Sequence, residues 1–367
     1  MKLTKRSRLQ LPMGVLDFDL TSDGTKLIAA AMDGIYEVVA IADREGGDSE
    51  ADSAQETRQP QKIGQHESWV SGVALLDDEK RLVTAGYDGA IQFHRRDGEQ
   101  PTKTVQAHSF WSWKLAACKQ NNLVASVSGQ YIAGNEKYAP KAVAEPTVKV
   151  FDAMTGELRH AFEMLPSVQA AALSPDGRLV AAANLMGDVS VWKTEDGQLQ
   201  ASWRTDDFTS WGIIKSHCYI GGIHALMFAA DGQSLYAAGM GPMRDPMAGN
   251  GRQLWQQWRW DGEAPRKIAE TNKDQAGEGL MEALAMHPSG QQFVMAGRLR
   301  GGEWNVGLFS CEDGNLIAQA KTGTRITSAR FSPDGKHLWL GGMKGQPGPD
   351  KKGRWPAFGT IDCYELT

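Results

Sequence analysis

The chain has 367 residues, of which 41% are hydrophobic and 23% are charged, as in an ordinary soluble globular protein. A formal net charge of −5 disfavours a dedicated nucleic-acid binder, which would be basic, so nucleic acid is not an expected partner. Four cysteines without CxxC spacing form neither a zinc pattern nor a dense disulfide framework.

The N-terminal segment is charged, but no apolar core of a signal peptide follows it. No apolar run in the chain is long enough for a membrane-spanning helix. We therefore expect a cytoplasmic protein that makes no membrane contact. Residues 5–11 alternate polar and apolar side chains in the way an edge strand does, which predicts a β-strand at the start of the chain.

A turn signature recurs from residue 21 onwards, with apolar stretches on both sides of each copy. Pro fits the first central position of such a turn, and Asp-Gly or Ser-Gly fits the positions with special dihedral angles, so each copy predicts a β-hairpin. Five clear copies occupy residues 21–24, 174–177, 229–232, 287–290 and 332–335. Two weaker copies occupy residues 77–80 and 119–122. Seven units in 367 residues average about 52 residues each.

A second hairpin signal follows later in most units, for example at residues 97–99 and 313–315. Each unit therefore contains four short strands, and such units repeated radially make a propeller. We predict an all-β, seven-bladed β-propeller of four-stranded antiparallel blades. The ring is predicted to close when residues 5–11 complete the last blade. The expected blades are residues 14–65, 66–108, 109–163, 164–207, 208–272, 273–323, and 324–367 with 5–11.

Several units carry residues of a known repeat. Phe151-Asp152 ends residues 145–152 and Trp192 ends residues 189–192, where that repeat has Trp-Asp. His66 and His108 stand just before first strands, at its Gly-His position. On these residues the units resemble degenerate WD40 repeats, and another seven-bladed propeller type remains the alternative.

The resemblance implies a hydrogen-bond network that ties the strands of a blade together. His66, Thr84 and Asp88 of the second unit match it, while His94 stands in place of the Trp. A structural role is implied in the same way for His108, Asp152 and Trp192.

The longest connections follow second strands, at residues 128–146, 240–252, 298–304 and 342–357, or fourth strands, at residues 206–220 and 272–279. In an up-and-down blade all of these open onto one face. The connections after second strands carry more basic than acidic residues, with aromatic residues among them. An acidic insertion at residues 43–58 lies on the opposite face and is expected to be flexible.

We interpret the elaborated face as the binding surface for a protein or peptide partner, with an acidic surface as the expected complement. The alternative is that these side chains are only solvated decoration of exposed loops. The candidate partner-binding residues are Trp111, Tyr138, Trp211, Arg244, Arg252, Arg298, Arg300, Trp304, Arg354 and Trp355.

Motifs for enzyme chemistry are missing from the sequence, including those of nucleotide loops, metalloproteases and serine hydrolases. His217, Cys218 and His224 lack a fourth metal ligand. We therefore expect a non-catalytic scaffold without a cofactor or metal, monomeric outside its complex. The alternative is a propeller that binds or hydrolyses a small ligand in its central channel. The predicted inner strands are small and bland except for Glu282 and Arg330.

Overall fold

The computed structural model describes residues 1–40, 59–76, 79–98, 100–132, 140–211, 219–245, 250–345 and 347–367. Within these residues the chain consists of antiparallel strands, and its one helical element is a 3-10 turn at Asp206–Phe208. An all-β fold with several four-stranded antiparallel sheets, consistent with a β-propeller, is therefore confirmed. The predicted acidic loop at residues 43–58 falls outside the described residues. The described part of the chain has no helix with the length and apolar character needed to cross a membrane.

The described strands form six sheets, five of four strands and one of nine. The first sheet holds β2 (Val15–Leu20), β3 (Lys26–Ala31), β4 (Gly34–Val39) and β5 (Gln61–Gly64). The second holds β6 (Val70–Leu75), β7 (Arg81–Gly86), β8 (Ala90–Arg95) and β9 (Pro101–Gln106). The third holds β10 (Lys114–Cys118), β11 (Leu123–Val127), β12 (Val148–Asp152) and β13 (Leu158–Phe162). The fourth holds β14 (Val168–Leu173), β15 (Leu179–Asn184), β16 (Asp188–Lys193) and β17 (Leu199–Arg204).

The nine-stranded sheet contains two four-stranded units. One consists of β19 (Tyr219–Phe228), β20 (Ser234–Asp245), β21 (Asn250–Arg259) and β22 (Arg266–Glu270). The other consists of β23 (Glu278–Met286), β24 (Gln292–Gly301), β25 (Val306–Ser310) and β26 (Leu316–Ala320). A short β18 (Thr209–Trp211) adds to β19, and one residue pair, Arg252 with Glu278, joins the two units.

The prediction of a loop at residues 240–252 is wrong for most of that segment. In this segment β20 and β21 remain paired as antiparallel strands, with Met243 opposite Gly251 and Asp245 opposite Asn250. The pairing satisfies backbone donors and acceptors that a loop would leave to solvent.

The predicted tight turns have the side-chain contacts that such sequences favour. Between β14 and β15, the Ser174 hydroxyl donates to Asp176 at 2.6 Å, and Asp176 accepts the backbone N–H of Arg178 at 3.0 Å. Gly177 has a positive φ of 66°, a conformation that glycine adopts without steric cost. Ser332, Asp334 and Gly335 repeat this turn in the last unit.

The last sheet contains strands from both ends of the described chain. β1 (Leu3–Leu11) pairs with β29 (Gly359–Leu366), which follows β28 (His337–Met343) and β27 (Arg325–Phe331). Arg8 donates two hydrogen bonds, of 2.6 and 2.7 Å, to the fully buried carboxylate of Asp362. An N-terminal strand therefore completes this sheet, as the alternation in residues 5–11 predicts.

The core is divided into clusters that lie between neighbouring units. One such cluster combines Leu11, Phe18, Tyr36, Trp339 and Ile361, which come from the first and last units. The first strands of consecutive units contact one another in turn, and β27 of the last unit contacts β2 of the first. All seven first strands line one cavity of about 440 Å3.

Candidate functional site

Antiparallel pairing places the connections after the second and fourth strands of a unit at the same end of its sheet. We call this end the upper face and the opposite end the lower face. On the upper face of the second and third units, the β7–β8 turn meets the β9–β10 connection, because the backbone N–H of Ser112 donates to the carbonyl of Gly86 at 3.1 Å.

Five aromatic side chains converge at this junction and form what we call the aromatic cluster: Trp69, Tyr87, Phe110, Trp111 and Trp113. Tyr87 stacks on Trp111 with parallel rings 4.7 Å apart, and Phe110 stacks on the same indole at 5.1 Å. Trp113 meets Tyr87 and Trp111 edge-on, at 5.4 and 5.3 Å. Trp69 and Trp111 each keep 41% of their surface exposed. The cluster is therefore internally packed, and two of its tryptophans remain partly exposed to solvent.

Backbone contacts hold the aromatic cluster in place. The N–H of Tyr87 donates to the carbonyl of Trp69 at 2.8 Å, and the indole N–H of Trp113 donates to the carbonyl of Gly129 at 3.2 Å. Gly89 has a φ of 76°, and a Cβ at this position would come within 2.2 Å of the His108 carbonyl oxygen. Only glycine therefore allows the two connections to approach so closely.

Next to this cluster, four polar side chains of the second unit form a continuous hydrogen-bond chain, which we call the hub. His66 Nδ1 lies 3.0 Å from Asp88, His66 Nε2 lies 2.8 Å from Thr84 Oγ1, and Thr84 Oγ1 lies 3.2 Å from His94 Nε2. Because a carboxylate only accepts, Nδ1 of His66 donates to Asp88, and its Nε2 accepts from the Thr84 hydroxyl. The same hydroxyl oxygen then accepts the N–H of His94.

The hub also fixes the loops that carry the cluster. Asp88 accepts the backbone N–H groups of Glu67 and Ala90, at 3.1 and 3.0 Å. Burial works to raise the pKa of Asp88, but the hydrogen bonds that Asp88 accepts from His66 and from the backbone of Ala90 and Glu67 lower it, so this pKa lies below its usual value. Burial, with a smaller contribution from His66, lowers the pKa of His94 to about 4.

Residues 58–94, which include the whole hub, match the family model described as WD domain, G-beta repeat. This segment, which runs from β5 to β8, is similar to a WD40 repeat. The resemblance stated from the sequence is thereby confirmed, and at the level of the family it supports a protein-interaction scaffold. A search of the curated proteins found none that matches this chain.

The third unit has a shorter version of the WD40 hub. His108 Nε2 lies 2.9 Å from Ser126 Oγ, which in turn lies 2.8 Å from Ser112 Oγ. Glu145 accepts the backbone N–H and the hydroxyl of Ser109, at 2.8 and 2.7 Å. His108 Nδ1 is buried, and the described residues offer it no hydrogen-bond partner.

Two other residues carried over from the WD40 resemblance lie away from the hubs. Asp152 accepts the backbone N–H groups of Met154 and Thr155, both at 2.9 Å, and pairs with Arg159 at 2.6 Å, so it caps a lower-face turn. Trp192 stacks on the Phe162 ring of the preceding unit with centroids 4.6 Å apart.

The predicted basic residues on the upper face differ in exposure. Arg298 and Arg300 are exposed at the end of β24. Partial loss of hydration together with the charge of Arg300 lowers the pKa of Arg298. Arg354 is exposed and pairs with Asp350 at 3.1 Å, while the neighbouring Trp355 is 53% exposed. Arg252 is half-buried.

Trp304 corrects one expectation, since it is only 2% exposed. Its indole N–H donates to the carbonyl of Gln275 at 2.9 Å, and its ring packs edge-on against Phe309. It is therefore a core residue and offers no surface to a partner. Tyr138 lies outside the described residues, and for Trp211 and Arg244 the structure describes only the strands in which they lie.

Four members of the aromatic cluster were not among the predicted partner-binding residues: Trp69, Tyr87, Phe110 and Trp113. Tyr87 directly precedes the turn that Asp88 begins, so its position beside the hub was a usable signal. The cavity between the first strands is also less bland than predicted, because Asp17, Lys114 and His224 line it as well as Glu282 and Arg330. No group of three or more potential metal-binding side chains occurs among the described residues.

Proposed function

We propose that this chain is a non-catalytic scaffold, a seven-bladed propeller whose upper face binds a peptide segment of a protein partner. The WD40 repeat supports an interaction role at the level of the family. The binding position, the blade count and the closed ring are our inferences from contacts in the fold.

The blade count rests on seven four-stranded units whose first strands contact one another in a cycle. β2, β6, β10, β14, β19, β23 and β27 each touch the next, and β27 returns to β2. A single cavity that all seven strands line supports the same arrangement. The pairing of β1 with β29 supports closure of the ring within the last blade.

The binding position rests on the aromatic cluster. Trp69 and Trp111 are each 41% exposed, and the exposure of so much apolar surface to water costs free energy. Trp and Tyr also dominate the energetics of protein interfaces. The cluster lies on the upper face, as do the exposed Arg298 and Arg300. We infer a partner segment that carries an apolar or aromatic anchor together with acidic side chains.

The test uses a displayed library of random peptides selected against the intact chain. We expect selected peptides to lose about tenfold or more in affinity for a Trp69→Ala/Trp111→Ala variant, because hot-spot truncations commonly have such effects. The Arg298→Glu/Arg300→Glu variant should bind acidic peptides with lower affinity than the unaltered chain. This loss of affinity should be larger at low salt than at high salt.

Matched controls lie elsewhere on the molecule. Leu199, which is 53% exposed on β17, is the apolar control as Leu199→Ala, and Arg178 on a lower-face turn is the charge control as Arg178→Glu. Both should bind the selected peptides like the unaltered chain. Unchanged peptide affinity in the tryptophan variant, with unchanged thermal melting, would exclude the aromatic cluster as the binding site.

A further inference from the structure

Six of the seven first strands share an irregularity. In each of them the register skips one residue, so that a β-bulge inserts an extra side chain. The skipped residues and Lys114, the first residue of β10, all line one cavity of about 210 Å3. We call this set the bulge ring: Leu16, Ser71, Lys114, Gln169, His224, Glu282 and Thr327.

The bulge ring lies where two cavities meet. Lys114, His224 and Glu282 line both the smaller cavity and the cavity of about 440 Å3 between the first strands. Tyr87 and Trp113 of the aromatic cluster also line the smaller cavity. A molecule in the bulge ring would therefore contact polar side chains and aromatic rings together.

The charges of the bulge ring do not balance locally. Arg325 donates to both carboxylate oxygens of Glu282, at 2.6 and 2.5 Å, which makes that pair neutral. Within the described residues, Lys114 makes one hydrogen bond, to the carbonyl of Thr327 at 3.3 Å, and has no carboxylate within 4.0 Å. One positive charge in the ring therefore lacks a direct counter-ion.

Nearby groups do not supply that counter-ion by direct contact. Asp17 favours the charge of Lys114 from a longer distance, but it already accepts from Ser328 at 2.7 Å and pairs with Arg330 at 3.3 Å. Burial nevertheless lowers the pKa of Lys114. Burial also lowers the pKa of His224, whose Nε2 lies 3.1 Å from the carbonyl of Gly221, so a neutral imidazole is favoured. An anion beside Lys114 would offset the cost of its burial.

We propose that the bulge ring binds a carboxylate that is attached to a planar, ring-containing group. The ammonium of Lys114 donates to the carboxylate, as does Nη1 of Arg325, whose Nε and Nη2 are the atoms bound to Glu282. The planar body of the acid lies against Tyr87 and Trp113. One carboxylate neutralises the ring, whereas a cationic ligand would add to its charge. This site does not depend on the proposed peptide-binding function.

The test measures the binding of benzoate, benzamide and benzylamine to the intact chain by calorimetry. These probes share a ring and differ in charge. We expect benzoate to bind and the neutral and cationic probes to bind at least about tenfold more weakly, because a charge-assisted hydrogen bond is lost. Equal affinities for benzoate and benzamide would overturn the proposal. So would the failure of both benzoate and a peptide with a C-terminal phenylalanine carboxylate to bind.

Variants connect the binding to Lys114. Lys114→Met removes the charge and keeps most of the length of the side chain. It should reduce benzoate affinity about tenfold or more without lowering the melting temperature. Lys119→Met is the control, because Lys119 pairs with Asp19 at 2.9 Å and lines only the larger cavity. Unchanged benzoate affinity in Lys114→Met, or an equal loss in Lys119→Met, would contradict the assignment.

The carboxylate could belong to a free acid or to the end of a bound peptide. A peptide that ends in phenylalanine with a free carboxylate, compared with its amidated form, separates these sources. If the free-carboxylate peptide binds and benzoate does not, the acid is part of a peptide partner. If benzoate binds and the peptide does not, the ligand is a free small molecule. In both cases Lys114→Met must reduce the affinity for the probe that binds.

Discussion

The second and third units place different carboxylates at equivalent positions. Their strand registers align Thr84 with Ser126 and Asp88 with Glu145. Asp88 contacts both the imidazole of His66 and the backbone N–H of Glu67. Glu145, one methylene longer, contacts the backbone N–H and hydroxyl of Ser109, and His108 Nδ1 is left without a partner among the described residues.

This difference shows that the hydrogen bonds of the hub stabilise a unit but do not determine its strand arrangement. Both units pair four strands in the same order, so a complete hub is not needed for the strand arrangement. The second unit provides partners for both ring nitrogens of His66, whereas His108 Nδ1 has none among the described residues. A buried polar atom without a partner costs free energy. The third unit also carries Lys114 and most of the aromatic cluster, so its weaker hub accompanies its candidate binding residues.

The largest expected effect of a single substitution at neutral pH is the loss of the complete hub. His66→Ala removes the partner of both Asp88 and Thr84, and we expect it to lower the free energy of unfolding by about 3 kcal/mol. His108→Ala removes only the contact with Ser126 and should cost about 1 kcal/mol in hydrogen bonding, plus any cavity cost. Urea denaturation measures both values. A loss in His108→Ala as large as that in His66→Ala would break the comparison.

The next effect is a pH dependence that both hubs share. Burial lowers the pKa of His94 and of His108 to about 4, compared with 6.5 for an unperturbed histidine. Between pH 4 and 6.5 the unfolded chain therefore binds more protons, so the free energy of unfolding rises with pH across this window and falls on acidification. Each histidine should contribute a slope of about 1.4 kcal/mol per pH unit within this window.

Denaturation series between pH 4.5 and 7 measure this slope. His94→Gln and His108→Gln should each flatten it, since glutamine does not titrate. The double variant then shows the slope that the remaining groups contribute, which include the carboxylates and His224, whose pKa burial also lowers. Equal slopes in the unaltered chain and the double variant would contradict the assignment to these two histidines.

The smallest effect comes from restoring the missing contact. Glu145→Asp shortens the carboxylate to the length found in the second unit, where it could reach His108 Nδ1. We expect the pKa of His108 to rise and the free energy of unfolding to increase by about 0.5–1 kcal/mol. A histidine NMR titration reports the pKa. Asp88→Glu is the reciprocal variant and should weaken the contact with His66, and an unchanged His108 pKa in Glu145→Asp would show that side-chain length is not the cause.

Features with a local cause could be predicted from the sequence. The turn at Ser174, Asp176 and Gly177 depends on dihedral preferences and on side-chain contacts within a few residues, so its composition is sufficient. The alternation of polar and apolar residues predicted the strand at Leu3–Leu11. Its partner could be predicted because the C-terminal end of the chain supplies only three strands to the last unit. The contacts of His66, Thr84 and Asp88 were implied by the WD40 resemblance.

Features that depend on neighbouring units could not be predicted. The bulges that direct the side chains of His224 and Glu282 towards the same cavity are one-residue register shifts. The alternation of polar and apolar residues in the sequence does not reveal such shifts. Trp304 resembled a surface residue because it follows a polar loop, but the carbonyl of Gln275 offers its indole a buried partner. Residues 240–252 read as a glycine-rich loop, while strand pairing between β20 and β21 overrides that composition.

The shared last sheet affects how the protein folds. Arg6 and Glu365 of β1 and β29 are 359 positions apart, whereas the other strands of that sheet join through near neighbours in sequence. Contacts between distant positions form slowly, because the loss of chain entropy comes before the contacts that repay it. Hairpins within single units should therefore form early in refolding, and docking of β1 onto β29 should be among the last steps.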